Sequence, residues 1–366
     1  NSAGSGAISS SVQGTPAASN NTDYFRSIGT GNWNATSTWE SSIDNSTWIT
    51  ATLTPTNIAN SITILNGHSV TVTTSVFVDQ LTVNQGGTLI VSSGVTLTIQ
   101  DGSGDDVTVQ GMMEQLEKQR KLIEKFALID PERFWHFLHH LFPKDPFLVC
   151  ALDMAGWDLF GQMKKQPLHE MWHTTWDNTT ATPICDYTLG IDPIDKMVEK
   201  MNAHPWPIYK VKVGTDYDIE MLTALRKHTT APLRVDANAG WTTEEALIKI
   251  PAFEKLGVEL IEQPLSKDNW EGMAELKKQS VLPLFADESC VFEKDVATCA
   301  NYFHGINIKL TKCSGLTPAL RMIKEAKNVG LKVMMGSMNE SVIGSAAIAQ
   351  FLPQLDYVDM DGPLLM

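Results

Sequence analysis

Short apolar, β-branched runs recur through the last two thirds of the chain, and each ends on charged residues. In order these are Lys210 and Lys212 in YKVKVG, Asp236 in RVDANAG, Glu262 in LIEQP, Asp287 in FADES, Lys309 in NIKLTK, and Asp359 with Asp361 in VDMDG. Such a run reads as a strand of a parallel sheet buried on both faces. Steps of roughly 22 to 26 residues accommodate one strand, one helix and two loops, so the pattern predicts a barrel whose strands all end at one mouth. Two cations and three carboxylates brought together there are costly as mere structure, because a buried charge costs several kcal/mol unless it is paired or bound to metal. Three carboxylates on successive strands make a hard, all-oxygen site suited to Mg²⁺. Lys212 on the second strand and Lys309 on the sixth flank that site and can face opposite sides of one bound carbon.

From about Pro146 onward the motifs KVKVG, DANAGW, EQP, ADES and NIKL follow one another in a fixed order. In that order the chain resembles the enolase superfamily, its muconate-cycloisomerase-like branch and, within it, the dipeptide epimerases. The resemblance implies an α/β fold, an enolase-type (β/α)7β TIM-like barrel, with Asp236, Glu262 and Asp287 as Mg²⁺ ligands and Lys212 and Lys309 as the acid/base pair. It also implies that Asp359 and Asp361 hold a substrate α-ammonium and that Thr188 in DYTLGID faces the substrate. The implied reaction is 1,1-proton transfer on a carboxylate substrate. Mg²⁺ stabilises the enolate, one lysine removes the α-proton, and the other returns a proton to the opposite face. The substrate class is a dipeptide of the Ala-Glu type or a related carboxylate; muconate cycloisomerisation and o-succinylbenzoate synthesis are the neighbouring activities. A base must be neutral, so crowding by Lys210, Lys309 and the metal is expected to lower a lysine pKa, with Lys210 as electrostatic neighbour rather than base. No histidine stands at the end of the seventh run, VMMGSMNES, which argues against a dehydratase.

Other motifs are read as structure. His169, Glu170 and His173 spell the H-E-x-x-H of zinc proteases, whose histidines share a helix face, but here they stand at a helix end before the first barrel strand. His136, His139 and His140 interleave with Phe134, Trp135, Phe137 and Leu138 and predict an amphipathic packing helix. Glu288 and Glu340 are expected behind the site or in salt bridges. The five cysteines, 150, 185, 290, 299 and 313, lack metal spacing and read as reduced core thiols, pointing to a cytoplasmic enzyme part. A formal charge of -14 argues against nucleic acid. No apolar stretch reaches the roughly 18 residues a membrane span needs. A homo-oligomer stays open.

The first third has a different character. Residues 1–22 are small and polar and predict a flexible tail. Over 23–110 Lys and Arg almost vanish, and SITILNGHSVTVT, DQLTVNQGGTLIV and GVTLTIQ alternate between turn residues. This phrasing predicts a β-rich, solenoid-like segment and resembles the start of a right-handed parallel β-helix in secreted bacterial surface proteins. Residues 111–181 read as a residual helical cap and approach to the barrel, without the sheet that a superfamily cap carries, and 182–366 as the barrel. The alternative reading is a secreted β-solenoid binding or spacer protein carrying an inactive barrel remnant.

Overall fold

The computed structural model describes residues 18–78, 81–99, 109–174, 176, 181–338 and 340–364. The chain divides into two compact units, Asn1–Gly111 and Met112–Met366.

In the first unit, alternation sets the strands. Ile62 and Ile64 of Ser61–Ile64 and Val70 and Val72 of Ser69–Val72 are fully buried, while their neighbours face outward. Each strand then pairs in parallel with one about a coil later: Ile62 opposes Leu81, Val70 opposes Leu89, and Val76 opposes Leu97. This is the stacking of a solenoid. The unit does not begin that way, however. Tyr24–Ser27 pairs antiparallel with Trp39–Ser42, which pairs antiparallel with Ile49–Thr50. The reversal is stabilised by Trp33 and Trp39, both fully buried with ring centroids 4.9 Å apart. Their indole N–H groups donate to the carbonyls of Pro55 and Trp33. Of the tail expected over 1–22, residues 1–17 lie outside the described residues. Ser19 is packed rather than free, its hydroxyl accepting from Thr52 N–H and Ser41 Oγ.

The second unit opens with helices Val109–Ile123, Pro131–Leu141 and Pro146–Lys164. Asp130 and Asp145 cap the last two, each followed by proline at the first helical position, where a missing N–H costs nothing. Among the described residues no strand lies between Val109 and Tyr187. Eight parallel strands then run in chain order: Tyr187–Leu189, Tyr209–Lys212, Leu233–Asp236, Val258–Glu262, Leu284–Ala286, Gly305–Lys309, Lys332–Gly336 and Tyr357–Asp359. Strand one meets strand eight through a parallel bridge from Cys185 to Val358. Helices pack their apolar faces on the outside of this sheet, and Leu260, Phe285, Met334 and Tyr357 fill a layer of the lumen. Arg234 closes the same lumen. Its guanidinium donates to Asp186 (2.8 Å) and to Val358 O (3.2 Å), tying strand three to strands one and eight. No helix among the described residues is long and apolar enough to cross a membrane.

Candidate active site

Lys212, Asp236, Glu262, Lys309 and Asp359 each end a strand, Asp287 and Asp361 follow one, and Lys210 stands two residues inside its own, so the barrel topology brings them to one mouth. Parallel pairing sets Lys212 against Asp236 and Asp236 against Glu262, while Asp287 directly follows strand five. Adjacent strands lie about 4.8 Å apart, so three carboxylates at neighbouring strand ends repel one another strongly unless cations intervene. Lysines do so. Lys210, 3% exposed, places Nζ 2.7 Å from Asp359, 2.8 Å from Glu262 and 3.2 Å from Asp236. Lys212 reaches Asp236 Oδ2 at 2.7 Å and Asn238 Oδ1 at 3.0 Å. Lys309 holds Asp287 at 2.6 Å, and Lys312, one turn further on, holds its other oxygen at 3.2 Å.

These contacts fix the protonation states. Burial pulls Lys210 down, but Asp359, Glu262 and Asp236 outweigh it and hold the ammonium well above the ordinary lysine range. Burial likewise opposes the charge on Lys309, and Asp287 with Glu262 raises it. With no cation between them, the charges closest to Lys309 are carboxylates, and they favour its ammonium form. Asp236, pushed up by burial, is held well below the usual carboxylate range by Lys210 and Lys212. Glu262 goes the other way, to about 7, because burial and the negative charge of Asp236 outweigh Lys210.

Among the described residues no three His, Cys, Asp or Glu side chains stand gathered as a ready metal cage, since each carboxylate is turned toward a lysine. The donor set nevertheless fits a hard divalent cation. Glu262 Oε2 is completely buried, with Lys210 opposite in charge beside it but no hydrogen bond of good geometry. Its other oxygen accepts from Asn307 Nδ2 at 2.7 Å, which fixes the carboxylate plane. A cation at the three strand ends competes for oxygens now shared with ammonium groups, all of them hard ligands.

At the opposite edge, the Asp361 carboxylate accepts the Thr188 N–H at 2.6 Å, and burial together with Asp359 raises its pKa. Asp359, pushed up by burial, is held low by Lys210. Expected as a substrate anchor, it already has a buried ionic partner; Asp361 lacks one among the described residues. Glu288 and Glu340 form no salt bridge among the described residues; burial raises both, and Glu288 Oε2 has no hydrogen-bond partner.

Four polar residues in contact with the site were not singled out one by one in the sequence: Asn238, Gln263, Asn307 and Lys312. Asn307 was detectable in principle, because on a strand it shares the face of Lys309 two residues later. The H-E-x-x-H segment is not a metal motif. Its helix is only Leu168–Met171, His173 lies beyond it at φ +57°, and His169 faces Gln350. The histidines of Pro131–Leu141 belong to a packing helix, His139 stacking on Trp135 with centroids 5.0 Å apart. All five cysteines are free.

Comparison with known proteins agrees with this geometry. Residues 194–360 match the family described as "Enolase C-terminal domain-like". The chain is 54% identical over 261 residues to the L-Ala-D/L-amino acid epimerase of Flavobacterium johnsoniae, covering 71% of this chain and 77% of that protein. Among solved structures, the substrate-liganded L-Ala-D/L-Glu epimerase of Bacillus subtilis superposes with a TM-score of 0.66 at 28% identity, over 72% of this chain and 76% of that one. A dipeptide epimerase from Cytophaga hutchinsonii, complexed with Mg and D-Ala-L-Val, gives 0.61 at 27% identity, over 66% and 68%.

Proposed function

Because the chain belongs to the enolase superfamily, we propose that it is a Mg²⁺-dependent dipeptide epimerase, inverting the α-carbon of a dipeptide's C-terminal residue by moving a proton from one face to the other. One observation carries the reading: two lysines from distant strands contact the first and last of three carboxylates, Lys212 on Asp236 and Lys309 on Asp287. A single base would suffice to remove a proton. Two on either side of the cluster suit removal and return on opposite faces.

In this proposal Asp236, Glu262 and Asp287 hold the cation, which when bound supplies the positive charge that stabilises negative charge developing on the substrate carboxylate. Asn307 keeps Glu262 oriented and Asn238 keeps Lys212 in reach. Carboxylates committed to a cation no longer stabilise the neighbouring ammoniums as strongly, so the lysines can give up their protons and act as bases. Lys210 stays charged between Asp359, Glu262 and Asp236 and keeps the cluster from flying apart. Asp361, oriented by the Thr188 N–H, takes the substrate's α-ammonium through a charge-assisted bond. The Flavobacterium johnsoniae and Bacillus subtilis relatives are named as epimerases of L-Ala dipeptides, which makes L-Ala-L-Glu the first substrate to offer. They also favour an active enzyme over an inactive remnant.

The test is incubation of the full chain with L-Ala-L-Glu and Mg²⁺, followed by chiral separation. Formation of L-Ala-D-Glu that stops when the metal is chelated supports the proposal; an unchanged L,L dipeptide contradicts it.

A further inference from the structure

Gln263 follows Glu262 at the mouth end of strand four and is completely buried. Its φ is +35°, a region that a residue with a side chain occupies at a cost and that tends to persist only where the surroundings impose it. The surroundings do. The Gln263 carbonyl accepts from Ala239 N–H (2.8 Å) in the loop after Asp236, and its own N–H donates to Phe285 O (2.8 Å), two residues before Asp287. Its side-chain oxygen accepts from the N–H groups of Asp287 (3.0 Å) and Ser289 (3.1 Å). Its amide nitrogen donates to Leu265 O (2.7 Å) and Ser289 Oγ (2.9 Å). Both acceptor positions and both donor positions of the amide are thereby used.

This one residue thus ties together the ends of strands three, four and five, the three that carry Asp236, Glu262 and Asp287. We infer that Gln263 is a positioning residue that sets the spacing of the three carboxylates and, through it, the affinity for Mg²⁺. The inference rests on the metal role given to those carboxylates above. A buried glutamine that merely filled space would need neither a strained backbone nor a bond to the backbone of each flanking loop. Partners of this kind behind metal ligands are worth on the order of 10- to 100-fold in metal affinity.

The decisive variant is Gln263→Asn, which keeps the amide and tolerates positive φ but is one methylene too short to reach Asp287 N–H. Gln263→Glu keeps the accepting oxygens, and Ser289→Ala removes a neighbouring hydroxyl without touching the bond to Asp287. Mg²⁺ affinity of each full-length chain is measured calorimetrically, beside its thermal midpoint. Q263N is expected to bind Mg²⁺ on the order of 10- to 100-fold more weakly, with Q263E and S289A within about threefold of the parent. A folded Q263N that binds Mg²⁺ as the parent does overturns the inference while leaving the epimerase reading intact. So does a folded Q263E that binds Mg²⁺ on the order of tenfold or more weakly than the parent, a result that can be read even if Q263N fails to fold. A parent that binds no Mg²⁺ removes the metal reading and this inference together.

Discussion

Replacing Lys210 with methionine keeps the stem and removes the charge. The ammonium stands within 3.2 Å of Asp236, Glu262 and Asp359, and it and all three acids are buried. Breaking a buried ion pair by deleting one partner costs about 3–5 kcal/mol, because the charge left behind is uncompensated. Here three carboxylates lose their common partner, and part of the cost is recovered by protonation, Glu262 first, since it already titrates at about 7. For a unit of this size each kcal/mol shifts the midpoint by about 2–4 °C, so a loss of about 3–5 kcal/mol lowers it by about 6–20 °C. The assay is scanning calorimetry of parent and Lys210→Met at neutral pH in chelator and again in excess Mg²⁺. The metal stabilises either protein by mass action, about 2.7 kcal/mol at a hundredfold excess over Kd, and is expected to raise the midpoint of the variant more than that of the parent, because it replaces a missing cation. A variant that melts within about 2 °C of the parent in chelator refutes the view that Lys210 holds the carboxylates together.

Asp236→Ala is expected to abolish Mg²⁺ binding in calorimetry, since it removes one of the three oxygen ligands and frees Lys210 and Lys212 to pair elsewhere. Asp361→Asn is expected to weaken binding of a free dipeptide by about 1.5–3 kcal/mol while leaving an N-acetylated one unaffected; Asp359→Asn, whose partner is Lys210, shows instead in the melting temperature. Asp153, on helix Pro146–Lys164, accepts from Thr317 N–H and Oγ1, and burial raises its carboxyl from 3.8 to about 7. Over that interval the native state keeps a proton that the unfolded state has lost, so this group's contribution to stability falls as pH rises from about 4 to about 7 and levels off above. Melting profiles of Asp153→Asn are expected to lack that component.

The barrel and its charged mouth were legible because buried parallel strands leave apolar, β-branched runs, and because a charge at the end of such a run stands out. The solenoid-like stacking at Ile62, Val70 and Val76 was legible for a similar reason, as alternation repeated about one coil later. What stayed hidden depends on who meets whom. Lys210 and Asp359 are 149 residues apart, and only closure of the barrel pairs them. Arg234 reads as one more polar residue in a strand until its partners Asp186 and Val358 arrive from strands one and eight. The raised pKa of Lys309 needs distances to be read: a cation 2.6 Å from a buried carboxylate is governed by that carboxylate. Gln263 lies in the EQP motif, but its bracing role was hidden, because a positive φ at a glutamine is a property of the loops around it.

Division of labour between Lys212 and Lys309 is the central claim, and α-proton exchange in D₂O tests it most directly. With Mg²⁺ and L-Ala-L-Glu, proton NMR of the parent should show loss of the glutamate α-proton signal together with appearance of the L,D diastereomer. Lys212→Ala and Lys309→Ala should each abolish epimerisation, yet one should still exchange deuterium into the L,L dipeptide and the other into the L,D dipeptide, since each retains the base of one face. Epimerisation surviving in either variant, or both variants exchanging the same diastereomer, would contradict two bases acting on opposite faces.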